Sequence, residues 1–458
     1  MNISGMSGLP FLQKGITLET ASRSEIEEFQ TERLRNLVRK VWDNIPFYRK
    51  LWSNAGIKKP EEIKELEDLR KLPIVFKSDI ERSIRENTPF GDIVADSPLI
   101  RVQGSSGTTG KTTYIFFTRA DWDNVVNLTA RRLYAQGVRP GDRVQITYAF
   151  SLFIAGWIHF EAAMRLGCLA IPAGSGAVTP TERQLEIMKD LGTTVLCGTP
   201  SYILHLGEVA QKTGMDPRKD FKVRIMSTAA EPLTEEMRRR IEDVWGCKAY
   251  NSWGSVETGS ATFECVEQAG MHIFEDSFIF EFVDPVTYEP VQGRNEGVLV
   301  VTTLWKEAMP LVRYCMGDIA AFTEEPCRCG RTFKRILSIK GRVDHMIKVK
   351  GVSINPQATV ENVIKKFKEL SNEYFIEVDK EGVLDSITVN LEYYADRVED
   401  IEMLKNSVSE ALHASLGVSC KVRLWPFGEL KNYPEYKKML LTNKVTRIID
   451  RRYKQQTS

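Results

Sequence analysis

Between Val102 and Thr113 the chain reads VQGSSGTTGKTT, three glycines set among serine and threonine hydroxyls and one lysine. Small residues let backbone N–H groups approach a ligand closely, and hydroxyls and an ammonium add further donors. Together they suit the holding of a polyphosphate. The P-loop is excluded on spacing: its first glycine would fall at Ser105, and the segment after Lys111 is strand-like where a P-loop opens a helix. A second constellation is Cys327-Arg328-Cys329-Gly330, a close thiol pair in a polar loop, with Cys265 and, seven residues after it, His272. Three thiolates and an imidazole suit tetrahedral zinc in a structural role, since four protein ligands leave no open position for water. Cys168, Cys197, Cys247, Cys315 and Cys420 are isolated and read as buried small hydrophobes.

The elements that must carry these groups follow from periodicity. From Arg23 to Trp52 apolar residues recur at helical spacing (Ile26, Phe29, Leu34, Leu37, Val38, Val41), and Leu66, Leu69 and Leu72 continue a helical lead-in. After Leu99 short apolar runs alternate with amphipathic helices: Val144–Tyr148, a helix near Ala155–Leu166, Leu169–Pro172, a helix near Thr181–Leu191, Val195–Cys197. That alternation implies parallel β-α units. Beyond Gly341 the order becomes β-α-β-β-α-β: strand Met346–Lys350, a helix opened by Asn355 and Pro356, strands near Tyr374–Val378 and Ser386–Leu391, a helix near Val398–Leu416, and strand Lys421–Trp425. The fold class is therefore α/β, a large amino-terminal domain of several subdomains with β-α units and a small carboxy-terminal α+β domain that begins at a boundary near Gly341–Asp344. The expected divisions are 1–95 (helical region), 96–343 (α/β core with the zinc site) and 344–458 (small carboxy-terminal domain).

Composition narrows the partner. Lys and Arg number 62 against 61 Asp and Glu, a formal charge of +1, so nothing favours a nucleic acid or a membrane surface. Met1–Leu18 is broken by Gly5, Gly8, Pro10 and Gly15 before an apolar signal core can form, and Tyr148–Met164 is too short and polar to span a bilayer. A cytoplasmic protein acting on small molecules is expected, and a homodimer is compatible with this.

The Gly/Ser/Thr loop resembles that of the adenylate-forming acyl-CoA synthetases, and within them the phenylacetate-CoA ligase family, with Thr112 where the family has proline. Five further segments resemble the family in order. STAAEPLT (Ser227–Thr234) is similar to the adenine-site turn, so Ala230, Glu231 and Pro232 would wall the base. YNSWGSVE (Tyr250–Glu257) resembles the aromatic-Gly-x-x-Glu element; Asn251, Ser252 and Gly254 would line the nucleotide, Trp253 would stack on adenine, worth about 1–3 kcal/mol, and Glu257 would hold magnesium. PLVRYCMGDIA (Pro310–Ala320) supplies Asp318 for the ribose hydroxyls, a task suited to an acceptor-only carboxylate. KGRVDHMIKVKGVSINPQ (Lys340–Gln357) supplies Arg342 for ribose or phosphate, with Ile339 beside it, and Asp344 as hinge. TNKVTRIID (Thr442–Asp450) resembles the family ending, with Lys444 as the catalytic lysine. Trp253 stands for the family's tyrosine, Val256 for a hydroxyl residue, His345 for a second aspartate and Asn443 for glycine.

The resemblance runs from PFYRKLW to the terminal lysine and implies two half-reactions. A carboxylate attacks the α-phosphate of MgATP, giving acyl-adenylate and releasing pyrophosphate, aided by Lys444, Glu257 and the loop Ser105, Ser106, Gly107, Thr108, Thr109, Gly110 and Lys111. The small domain then turns about Asp344, bringing Lys350 and Gly351 to the thiol entry, and coenzyme A takes the acyl group. Some relatives also look similar at the cysteine cluster. YAFSLFIAGWIH (Tyr148–His159) matches the acyl-pocket position, where Tyr148, Phe150, Phe153 and Trp157 imply an apolar, aromatic or arylacetic acid. An acyl transfer to an amine or carrier protein, or an inactive nucleotide-binding or zinc scaffold, are the competing readings.

Overall fold

In the computed structural model the chain is described at residues 17–105, 112–291, 296–343, 347–349, 352–354, 356–381, 384–416, 418–434, 436 and 447–451. Its contacts divide it into two units, Met1–Met316 with Ala320–Ile339, and Gly317–Ile319 with Lys340–Ser458. Among the described residues no helix is long and apolar enough to cross a membrane.

The first unit begins with helix Arg23–Asn44. Ser22 Oγ accepts from the Glu25 N–H at 3.3 Å while Glu25 accepts from the Ser22 N–H at 2.7 Å, a capping box that satisfies donors a helix start leaves orphaned. Ile26, Gln30, Leu34, Leu37, Val38 and Val41 form its buried stripe. The helix ends at Ile45 because Pro46 disfavours a helical residue before it, and Pro46 then opens helix Pro46–Asn54. The lead-in near Leu66 is a short 3₁₀ helix, Leu66–Lys71, rather than an extension of the α pattern.

Strands β1 (Arg101–Ser105) and β2 (Thr113–Phe117) form an antiparallel hairpin in which Ser105 faces Thr113. Helix Arg119–Ala135 follows, capped by Thr118. Then β3 (Arg143–Ile146), β4 (Leu169–Ile171), β5 (Val195–Gly198), β6 (Ile225–Thr228) and β7 (Lys248–Tyr250) form one parallel sheet in the order β4-β3-β5-β6-β7. Every residue of β5 and β6 is buried, as expected of a parallel sheet covered by its crossover helices. Those helices are Ile154–Arg165, Thr181–Asp190, Pro200–Lys212 and Glu235–Trp245. The chain leaves β3 toward β4 on one side and returns to β5 on the other, so the strand order reverses between β3 and β5. Open α/β sheets bind ligands at the carboxyl ends of strands beside such a reversal.

Past a two-stranded ribbon of β8 (Gly254–Ser255) and β9 (Gly259–Ser260), the strands β10 (Thr262–Glu264), β11 (Met271–Ile273), β12 (Phe278–Val283), β13 (Glu296–Thr303), β14 (Tyr314–Thr323) and β15 (Arg335–Arg342) make a six-stranded sheet in the order β10-β11-β15-β14-β13-β12.

In the second unit β16 (Ile347–Val349) and β17 (Val352–Ile354) pair as a separate hairpin. Helix Pro356–Ile364, β18 (Leu370–Glu381), β19 (Leu384–Tyr393), helix Ile401–Leu416 and β20 (Lys421–Pro426) follow, and β21 (Ile448–Asp450) completes a sheet ordered β20-β19-β18-β21. The element order expected from sequence is present. The strand at 347–349, however, is not in the main sheet, and the strand beside β18 is Ile448–Asp450, which has no counterpart in the expected order and runs parallel with Ile376 opposite Ile448. Val360, Val363, Val378, Val389, Leu391, Val408 and Leu412 form the unit's core.

Candidate active site and metal centre

The candidate nucleotide residues of the first unit sit where the parallel sheet ends. The chain leaving β6 enters the turn at Ala229–Leu233. Ala230 there has φ of +73°, a left-handed conformation uncommon for a residue with a side chain and therefore held by its surroundings. Ala230, Glu231 and Pro232 are exposed, and Glu231 accepts from the Ser201 N–H at 3.2 Å. The chain leaving β7 carries Asn251, Ser252 and Trp253. Thr228 Oγ1 donates to the Tyr250 carbonyl and Ser252 Oγ to the Thr228 carbonyl, both at 3.0 Å, which fastens the two strand ends together. Trp253 is held by its backbone, its N–H donating to Thr262 Oγ1 at 2.8 Å and its carbonyl accepting from the Thr262 N–H at 3.1 Å. The half-buried indole meets Phe280 edge-on at 5.7 Å.

Gly254 begins the β8–β9 ribbon, and a Cβ there would come 2.1 Å from the Gly259 carbonyl, so this close turn requires glycine. Glu257 lies at its tip, 7% exposed, with its N–H donating to Ser255 Oγ at 3.1 Å. Val256 is beside it and half-buried. The Gly254 side of the ribbon is exposed.

The hairpin β1–β2 frames the Gly/Ser/Thr loop. Ser106, Gly107, Thr108, Thr109, Gly110 and Lys111 lie outside the described residues, and of Ser105 the backbone is described as the last residue of β1. Thr113 Oγ1 donates to Glu81 at 2.8 Å. The Gly104 N–H donates to the Leu152 carbonyl at 2.8 Å, which joins the loop's entry to the segment read as the acyl pocket.

That segment leaves β3, beside the strand-order reversal. Tyr148 is buried, and its hydroxyl donates to the Gly198 carbonyl at the end of β5, 2.9 Å away; burial pushes the phenol well above its ordinary pKa. Phe150 meets Trp157 edge-on at 5.2 Å and Phe160 at 6.2 Å. Trp157 Nε1 donates to the Ser151 carbonyl at 2.8 Å, and the Arg101 guanidinium lies 4.6 Å from the Trp157 ring centroid. Phe153 is the residue from which helix Ile154–Arg165 starts, without a side-chain cap. His159 is fully buried against Tyr148, ring centroids 4.9 Å apart.

In the second unit, Asp318 and Arg342 form an ion pair at 3.0 Å, their side chains 13% and 30% exposed. Ile339, on β15 in the first unit, is packed against the main core. Asp344, Lys350, Gly351, Asn443 and Lys444 lie outside the described residues, as does His345.

Among the described residues, the cysteine cluster brings four possible metal donors together. Cys265 follows β10, His272 lies on β11, and Cys327 and Cys329 sit in the loop from β14 to β15; their donor atoms all fall within 4.8 Å of one another. Cys265 Sγ is 3.9 Å from Cys327 Sγ, and His272 Nε2 is 3.6 Å from Cys329 Sγ. Bonds of ordinary zinc length at tetrahedral angles put two sulfurs about 3.8 Å apart and sulfur and nitrogen about 3.6 Å apart. The Arg331 guanidinium donates to Cys329 Sγ at 3.5 Å. Donors around Cys329, first Cys265 and then His272 and Arg331, hold its thiol below the ordinary range against the opposing effect of burial. Arg331 and Arg131 both pair with buried Glu19, at 2.6 and 2.8 Å, which ties the cysteine loop into the first unit.

Two buried groups escaped the sequence reading. Lys306, 3% exposed, donates from Nζ to the Glu257 carbonyl at 2.9 Å; the available signal was a lone lysine between Leu304-Trp305 and Ala308-Met309. Arg132, 1% exposed, donates to Ser227 Oγ at 2.8 Å behind the Ala229–Leu233 turn, and no local pattern distinguishes it from Arg131.

Residues 38–302 match the AMP-binding enzyme family, and residues 351–452 match the AMP-binding enzyme C-terminal domain. The fold and these matches define an adenylate-forming enzyme. The chain is 38% identical over 432 residues to the phenylacetate-coenzyme A ligase of Thermus thermophilus, covering 90% of this chain and 95% of that one. It is 36% identical over 422 residues to the phenylacetate-coenzyme A ligase of Pseudomonas putida, covering 90% and 93%. Among solved structures it is similar to 2-hydroxyisobutyryl-CoA ligase bound to 2-HIB-AMP in the postadenylation state, with a TM-score of 0.83, 28% identity, and 95% of this chain and 91% of that one covered. The chain belongs to the phenylacetate-coenzyme A ligase family, and it is an AMP-forming acid–coenzyme A ligase using ATP and coenzyme A.

Proposed function

We propose that the acid is apolar, aromatic or arylacetic, and that the enzyme converts it to acyl-AMP and then to the coenzyme A thioester. The observation that carries this reading is the cluster of Phe150, Trp157 and Phe160 in the segment leaving β3 at the strand-order reversal. Aromatic faces and edges recognise an aromatic ring, and small-molecule sites are lined mostly by apolar groups. The curated relatives named above are phenylacetate-coenzyme A ligases, which supports the same class.

The roles assigned to the site residues are those that the family resemblance implies. Ala230, Glu231 and Pro232 wall the adenine and Trp253 stacks on it. The Ser105–Lys111 loop holds the phosphates, and Glu257 binds the magnesium that arrives with ATP. Asp318 accepts from the ribose hydroxyls and Arg342 contacts ribose or phosphate. Lys444 neutralises charge developing as pyrophosphate leaves; Asp344 is the hinge and the Lys350-Gly351 segment serves coenzyme A. Cys265, His272, Cys327 and Cys329 hold a structural zinc ion, whose bond lengths match the donor spacings. The ion would lock the β14–β15 loop to the β10–β11 hairpin.

The test is ATP–pyrophosphate exchange across an acid panel, followed by product analysis with coenzyme A. Phenylacetate and its ring-substituted analogues are expected to drive the fastest exchange and to yield thioester. A preference for short aliphatic or 2-hydroxy acids would overturn the substrate class, and absence of any acid-dependent exchange would overturn the roles given to the site.

A further inference from the structure

The tip of the β8–β9 ribbon that carries Glu257 is gripped by a group that belongs to no recognised motif. Lys306 lies in the turn between β13 and β14, and its Nζ donates to the Glu257 carbonyl at 2.9 Å. The same ammonium stands 4.8 Å from the centroid of the Phe117 ring, and Phe117 ends β2, the strand that leaves the 106–111 loop. Asp121, fully buried, fixes the backbone that presents the lysine: its carboxylate accepts from the Glu307 N–H at 2.6 Å and the Ala308 N–H at 2.9 Å.

A buried ammonium is costly unless it is well paired, and an apolar side chain of similar volume fills such a space at less cost. Here its hydrogen-bond partner among the described residues is one backbone carbonyl. Burial draws its pKa down to about 8, with the charges of Asp121 and Glu257 drawing it back. An arrangement of this kind does little for packing that a methionine would not do. It does fix one peptide, and fixing the Glu257 peptide sets the direction in which the Glu257 side chain leaves the backbone.

We propose that Lys306 is a positioning residue for the metal–triphosphate end of the nucleotide site, tying the Glu257 peptide to the strand that leaves the phosphate loop. The inference rests on the reading of Glu257 as the magnesium ligand. Its consequence is selective. MgATP carries the metal and the β- and γ-phosphates, whereas AMP carries neither, so loss of Lys306 weakens the first ligand and leaves the second almost untouched.

The experiment compares wild type, Lys306→Met, Lys306→Arg, Glu257→Gln and the double variant K306M/E257Q. Calorimetry gives affinities for MgATP and for AMP, and the two half-reactions are assayed separately. Lys306→Met is expected to bind MgATP about tenfold more weakly, the scale of a lost charge-assisted hydrogen bond. Its AMP affinity and its rate of thioester formation from supplied acyl-adenylate should stay within about twofold of wild type, since an effect confined to the metal does not reach them. Lys306→Arg should recover part of the MgATP affinity, and K306M/E257Q should bind MgATP no more weakly than E257Q alone. Equal loss of AMP and MgATP affinity, or additive effects in the double variant, would show a purely structural lysine and overturn the proposal. If E257Q binds MgATP like wild type, the magnesium reading falls and the Lys306 role with it; if E257Q is impaired and K306M is not, only the Lys306 role falls. Should K306M prove insoluble, Lys306→Gln carries the same comparison.

Discussion

The Arg342 guanidinium lies 3.0 Å from an Asp318 carboxylate oxygen, across 24 residues of sequence. Gly317, at φ of +77°, makes room for this pair: a Cβ there would stand 3.0 Å from Arg342 Nη2. The guanidinium restricts the orientation of the carboxylate, which under the proposed role would meet a ligand's two hydroxyls.

Replacing Asp318 by alanine is therefore expected to raise KM for ATP by about ten- to a hundredfold, the scale of losing hydrogen bonds to a charged acceptor. Arg342→Lys should do less, because it keeps the charge and loses the fork geometry. Exchange kinetics at varied ATP measures both, and an unchanged KM in Asp318→Ala would remove this residue from the ribose site.

Lys444→Ala separates the half-reactions. Adenylation should fall at least about a hundredfold, the usual scale for removing a group that stabilises transition-state charge. Thioester formation from supplied acyl-adenylate should survive. Rapid-quench measurement of each step decides it, and equal loss of both would refute a lysine dedicated to the first step.

Zinc at the Cys265, His272, Cys327 and Cys329 cluster should appear as one metal ion per chain by atomic emission. Its removal by a strong chelator should lower Tm by roughly 5 °C or more, because metal binding and folding are linked. Cys329→Ser should purify with less metal. A chain that folds with no zinc after growth in zinc-supplemented medium, and is indifferent to the chelator, would exclude the ion.

His159 gives the protein a defined acid sensitivity. Burial first, then the Arg132 charge, draws its pKa from 6.5 down to about 3, and the hydrogen bond at the Ala155 carbonyl only partly opposes this. The folded value lies below the unfolded one, so the stability is fully present above pH 6.5. It is lost as the pH falls toward 3, while the unfolded chain takes up the proton that the folded chain refuses. Between pH 7 and pH 5 the unfolding free energy of wild type should decline by about 2 kcal/mol relative to His159→Phe. Chemical denaturation at the two pH values measures the difference; parallel behaviour of the two proteins would mean that His159 is protonated in the fold.

The sequence by itself determined what local order can encode. The alternation after Leu99 gave the parallel strands and their crossover helices, since a buried strand and an amphipathic helix leave different periods in the chain. The ordered motifs, from the glycine-rich loop through Glu257 and Asp318 to the terminal lysine, marked the family without reference to packing. Only the tertiary structure decided which segments became neighbours. It set Ile448–Asp450 beside β18 and left Ile347–Val349 in a hairpin of its own, because the period of a strand carries no record of its partner. It brought Cys265 and His272 to Cys327 and Cys329 across some sixty residues. It buried Lys306 under Glu257 and His159 against Tyr148, because the burial of a polar side chain is imposed by segments remote in sequence that pack around it.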